Sequence, residues 1–142
     1  MEENKISPTG TSSQREEPLR ILVVDDDGDL RRLNTTVLIR HGYHVDAAED
    51  GAVAWDILQL QCYDLLITDN NMPKVTGVEL LQKLHAARMA MPVIMATGQL
   101  PEEELSRHPW LQPTITLRKP YTIEELLGVV KEVLHATDDP QE

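Results

Sequence analysis

Five times along the middle of this chain a short apolar run gives way to a longer stretch with helical periodicity, and two of the apolar runs stop abruptly in acid. Leu19-Arg-Ile-Leu-Val-Val runs into Asp25-Asp26-Asp27, and Tyr63-Asp-Leu-Leu-Ile-Thr runs into Asp69, with Pro73 closing the loop that follows. The runs predict strands over 20–25, 43–47, 64–68, 92–96 and 114–118. They are brief and mostly aliphatic, as strands are in a parallel sheet covered on both faces. Helices are expected over 28–41, 51–61, 77–88, 102–108 and 123–136. Leu30, Leu33, Val37 and Leu38 mark the apolar face of the first; Ile123, Leu126, Leu127, Val130 and Leu134 mark that of the last. Alternating strands and helices with right-handed crossovers leave one economical arrangement, a doubly wound α/β fold with helices on both faces of a five-stranded parallel sheet.

Local start signals agree with these bounds. Thr76-x-x-Glu79 and Thr122-x-x-Glu125 have the form of capping boxes. Asp27 and Asp50 are placed to cap the first and second helices. Pro101, ahead of Glu102-Glu103-Glu104, suits a first helical turn. Pro109 and Pro113 confine the fourth helix.

At 142 residues the chain has room for one domain, expected over 18–136. It lies between a polar tail over 1–17, expected to be disordered, and an acidic tail over 137–142. A formal net charge of −11 argues against direct nucleic-acid binding, which rests on neutralising phosphates with Lys and Arg. No run approaches the length of a membrane helix, so no membrane association is expected. The single cysteine, Cys62, excludes an internal disulfide and fits a reducing compartment, hence a cytoplasmic location. Five histidines without metal spacing read as surface or cap residues.

Ligand and catalytic sites of such sheets lie beyond the carboxyl ends of the strands, near the point where the strand order reverses. The polar residues obey that rule. Asp25 and Asp26 end the first strand, Asp69 the third and Thr97 the fourth, and Lys119 follows the fifth. Clustered carboxylates repel one another unless a hard cation sits among them, and Mg²⁺ takes oxygen ligands of this kind. A carboxylate beside Mg²⁺ is a candidate phosphoryl acceptor. Asp69 is the candidate nucleophile; Asp26 and Asp69 are candidate direct metal ligands, with Asp25 through water and the Asn71 backbone carbonyl completing the set. The Thr97 hydroxyl and the Lys119 ammonium suit phosphoryl oxygens. Taken singly, each residue is an ordinary cap, turn or loop residue; four polar strand ends on one edge are what make a site. Trp55, at helical spacing with Val53, Ala54 and Ile57, reads as packing.

Four segments in order, Val23-Val-Asp-Asp26, Thr68-Asp-Asn-Asn-Met-Pro73 with Gly77, Met95-Ala-Thr97-Gly98 and Arg118-Lys-Pro-Tyr121, resemble the receiver domains of two-component response regulators over residues 19–136. The resemblance implies the flavodoxin-like strand order 2-1-3-4-5. It also implies transfer of a phosphoryl group to Asp69 from the phosphohistidine of a histidine kinase or histidine phosphotransfer protein. A chain of this kind signals by phosphorylation-dependent contact with a downstream protein. It is not an enzyme beyond its own phosphorylation and slow dephosphorylation, and no output domain is expected within these residues. Asn71 and Gln99 fall where the family tunes hydrolysis of the acyl phosphate. Gly98 either leaves the acceptor open to a donor or is a loop glycine with positive φ. Three departures stand out: Thr76 where an acidic residue often precedes the glycine, Thr116 where an aromatic residue is frequent, and two prolines with Trp110 around the fourth helix. Two rivals belong to other classes. An aspartate-nucleophile, Mg²⁺-dependent phosphohydrolase would want an acid where Asn71 stands. A phosphorylation-independent pseudo-receiver would not need the complete set of five residues.

Overall fold

The structure, a computed structural model, describes residues 17–135. The tails expected over 1–17 and 137–142 lie outside the described residues, apart from Glu17. In chain order the elements are β1 (Arg20–Val24), α1 (Gly28–Arg40), β2 (His44–Ala48), α2 (Gly51–Leu60), β3 (Leu65–Thr68), α3 (Gly77–Ala86), β4 (Val93–Thr97), α4 (Glu102–Arg107), a 3-10 turn (Pro109–Leu111), β5 (Ile115–Arg118) and α5 (Ile123–Leu134). All strand pairs are parallel and the order is β2-β1-β3-β4-β5.

The sheet divides the core into two layers. Leu22, Val24, Leu66 and Met95 pack with Ala54, Leu58, Leu80, Leu81 and Leu84 of α2 and α3. Their sequence neighbours Ile21, Val23, Leu65, Ile67 and Ile94 face the other way, onto Leu38 of α1 and Leu126 and Val130 of α5. The period-two alternation of strand side chains explains the split. Each fully buried aliphatic side chain contributes about 1.5–3 kcal/mol of transfer free energy. The edge strands β2 and β5 are only partly buried.

The expected helix caps are present. Asp27 caps α1 and Asp50 caps α2, while Thr76 and Thr122 form complete capping boxes. Pro101 differs from expectation, standing just ahead of α4 at the cap position without a side-chain cap. The third helix ends at Ala86 rather than 88, because Arg88 turns into the left-handed region at φ 58°. Between its prolines the fourth helix is six residues long and gives way to the 3-10 turn that carries Trp110. The expected apolar face of α1 is rotated. Leu33 is 46% exposed, and Asn34, 3% exposed, takes a place in the interior. Among the described residues, no helix is long and apolar enough to cross a membrane.

Candidate functional site

Pairing of β1 with β3 sets the site. Val24 lies opposite Thr68, so the residues that follow them, Asp25 and Asp69, leave the sheet side by side. Backbone bonds continue the ladder past the strands, with the Asp69 N–H donating to Val24 O at 3.1 Å and the Asp25 N–H to Ala48 O at 3.2 Å. Asp25 and Asp69 are buried, whereas Asp26 is exposed. One carboxylate oxygen from each of the three can be chosen so that all lie within 4.8 Å of one another.

Lys119 arrives from the far side of the sheet. Its backbone N–H donates to Thr97 O at 3.0 Å, and its Nζ donates at 2.9 Å both to Asp25 Oδ2 and to Asp69 Oδ2. Burial pulls the ammonium's pKa down, but the hydrogen bonds and charges of the two carboxylates together outweigh it, so the pKa is raised. At Asp25, burial pushes the carboxyl above its usual 3.8, against the pull of Lys119 and the Asp27 N–H. Ionising Asp25 in the folded protein therefore opposes folding, an effect that sets in above that pH.

The other oxygen of Asp69, Oδ1, accepts the N–H of Asn70 at 2.6 Å and of Asn71 at 3.3 Å. Asn71 is exposed beside Asp69. Thr97 is buried, and its hydroxyl donates to Gln99 O at 3.4 Å, a long and weak bond. The structure thus brings Asp25, Asp26, Asp69, Asn71, Thr97 and Lys119 to one edge. Gly98 is exposed with no positive φ; a Cβ there would meet only the Lys119 Cβ, at 4.0 Å. The conformational reason for that glycine is therefore absent. Thr116 is exposed on β5, and Trp55 packs against the core with Lys83 Nζ 5.7 Å over its ring.

Some contributors escaped sequence reasoning. Asn70 is buried, and its side-chain oxygen accepts the Val78 N–H at 3.0 Å while its carbonyl accepts the Gly77 N–H at 3.1 Å. It ties the loop that follows Asp69 to the start of α3. Arg31 donates from its guanidinium to Asp25 O at 2.7 Å, adding a cation behind the cluster. No local pattern marks either residue, because each acts through a partner set by the fold.

The sequence model of the response regulator receiver domain matches residues 21–131. The chain belongs to that family. Sensor protein EvgS of Escherichia coli O157:H7 is 37% identical over 122 residues, covering 84% of this chain and 10% of EvgS. Response regulator MprA of Mycobacterium sp. (strain KMS) is 32% identical over 120 residues, covering 84% of this chain and 52% of MprA. The chain thus spans about a tenth and about half the length of these relatives. Response regulator TrrA of Thermotoga maritima, solved in complex with Mg²⁺ and BeF, superposes with a TM-score of 0.72 at 30% identity, over 82% of this chain and 99% of that one. Receiver domains are signalling modules rather than dedicated enzymes. They interact with histidine kinases or phosphotransfer proteins and bind Mg²⁺ at an acidic pocket. The donor set here fits that ion: three carboxylates converge against one ammonium and one guanidinium, leaving a net negative charge and hard oxygen ligands.

Proposed function

We propose that this receiver domain accepts a phosphoryl group on Asp69 from the phosphohistidine of a histidine kinase or phosphotransfer protein. The observation that carries the reading is the Lys119 ammonium, 2.9 Å from Asp69 Oδ2 and held there by Asp25. It fixes the acceptor carboxylate and puts a cation where phosphoryl charge arrives. A carboxylate oxygen of Asp69 bonds to phosphorus as the N–P bond of the phosphoimidazole breaks. The leaving nitrogen keeps the electron pair and takes a proton from solvent, and the product is an acyl phosphate. Asp26, Asp69 and the Asn71 carbonyl, with Asp25 through water, would hold Mg²⁺, which would supply charge screening for the phosphoryl oxygens.

The chain's own groups do the rest. Backbone N–H groups of Asn70 and Asn71 orient the carboxylate through Oδ1. The Thr97 hydroxyl gives up little when it leaves Gln99 for a phosphoryl oxygen, because a charge-assisted bond replaces a 3.4 Å contact. Autophosphorylation from a small donor and slow self-dephosphorylation belong to the same reading. So do action on a downstream protein and a cytoplasmic location.

The test is labelling from acetyl phosphate or a cognate kinase. Asp69→Asn should fold normally and take no label, since an amide is not a nucleophile here. Full labelling of that variant, with phosphate mapped to a Ser, Thr or His, would sink the proposal.

A further inference from the structure

Asn34 is a polar residue in the middle of α1, 3% exposed and one turn from Leu38, which is fully buried. A buried amide opposes folding unless it is hydrogen-bonded. Its Nδ2 donates at 2.7 Å to the hydroxyl of Tyr121, a residue 87 positions away. Tyr121 stands two residues after Lys119 in the short connection between β5 and α5.

The Lys119 backbone is anchored to β4 by its N–H on Thr97 O. Towards α1 it borders an apolar cavity of about 380 Å³ lined by Leu30, Lys119, Pro120 and Tyr121. The Tyr121 ring packs against the core layer that includes Leu38 of α1 and Leu126 of α5, but apolar packing beside an open cavity is not directional. The Asn34–Tyr121 bond adds the directed tie to α1. Lys119 is therefore held between two ties, one to the end of β4 and one to α1, and its Nζ reaches both Asp25 and Asp69 from that position.

We infer that Asn34 is a positioning residue for phosphoryl transfer, acting through the Tyr121 hydroxyl to hold the Lys119 loop in register with Asp69. The inference rests on the acceptor role proposed for Asp69. A simple aliphatic residue at 34 would fill the helix face without the desolvation penalty, and it would leave the loop untied. The pair thus serves geometry rather than net stability.

The double variant Asn34→Leu/Tyr121→Phe separates the two roles. Removing both partners and leaving apolar groups of similar shape is close to neutral for stability. The double variant is expected to melt within a few degrees of the parent. Its saturating rate of labelling from acetyl phosphate should fall about tenfold, with the half-saturating donor concentration little changed. Its affinity for beryllofluoride should fall by a similar factor, while its Mg²⁺ affinity, set by the acids, stays the same. A parental labelling rate in the double variant overturns the inference. So does a loss of Mg²⁺ affinity in the same proportion, which would mean that the whole pocket had been disturbed. If the double variant does not fold, Tyr121→Phe alone, lacking one oxygen, is read by the same criteria. Absence of labelling and of beryllofluoride binding in the parent protein would instead refute the acceptor reading, so the two failures are distinguishable.

Discussion

Gly77 is the position where one methyl group should have the largest effect on the site. It opens α3 directly against the loop that follows Asp69, and a Cβ there would fall 2.6 Å from Asp69 O, 2.9 Å from Asn70 Cα and 3.1 Å from Met95 Cε. The first two neighbours are backbone, so no flexible side chain can move aside. Opening the first contact from 2.6 Å to an ordinary 3.4 Å requires about 0.8 Å of movement between α3 and the Asp69 loop. Overpacking of this kind costs about 1–3 kcal/mol. Better helix propensity returns at most about 1 kcal/mol. Because two of the close contacts are with rigid backbone, the overpacking cost lies in the upper part of that range, about 2–3 kcal/mol, and Gly77→Ala should lose about 1–2 kcal/mol net, a fall of roughly 4–10 °C in Tm for a domain of this size. Displacement of an acceptor by nearly 1 Å can cost up to about 10²-fold in rate. We expect acetyl phosphate labelling of the variant to be slowed at least about tenfold after correction for the folded fraction. Gly128→Ala is the internal control. That glycine is exposed on α5 with nothing within 4 Å of its built Cβ, so the same chemical change should stabilise by about 0.4–1 kcal/mol. Thermal melts and labelling rates of both variants decide the matter. The steric reasoning fails if both shift Tm in the same direction, or if Gly77→Ala labels at the parental rate.

Three further outcomes are expected. Mg²⁺ should raise Tm by linkage, since it relieves repulsion among Asp25, Asp26 and Asp69, and Asp26→Ala should lose that effect along with labelling; undiminished labelling in excess EDTA would contradict the metal site. All three tyrosines have raised pKa values, by burial first in each case, and at Tyr63 the Asp46 carboxylate adds to push it up to about 12. The unfolded chain then loses phenol protons near pH 10 that the folded chain keeps, so stability should fall as pH rises from 10 towards 12, with Tyr63→Phe reducing the slope in denaturant titrations; native phenolate absorbance complete by pH 10 would refute this. Beryllofluoride with Mg²⁺ should shift amide signals from about residue 97 to 113 and change the fluorescence of Trp110, 60% exposed in the 3-10 turn behind α4, but not that of Trp55; shifts confined to Asp25, Asp26 and Asp69 would locate the readout in the pocket itself.

Much of this molecule is decided locally, and there the sequence alone suffices. Short aliphatic runs, helix caps at Asp27, Asp50, Thr76 and Thr122, and the position of acids at strand ends all depend on neighbours within a few residues. The edge carrying Asp25, Asp26, Asp69, Thr97 and Lys119 follows from those local patterns and from the rule that parallel strands end their chemistry on one side. The strand order itself came with the family resemblance, because composition does not choose between topologies. Tertiary structure alone decided how the pieces meet. Helical periodicity shows that α1 has an apolar face but not where its centre meets the sheet, so Leu33 was expected inside and is outside, while Asn34 is inside. A buried asparagine makes sense only beside its partner, Tyr121, 87 residues on. The same holds for Asn70 against Val78, for Gly77 against the Asp69 carbonyl, and for the Lys119 ammonium shared by two carboxylates. Backbone preference is written in short windows, whereas hydrogen bonds and steric limits between distant segments exist only once the chain has closed on itself.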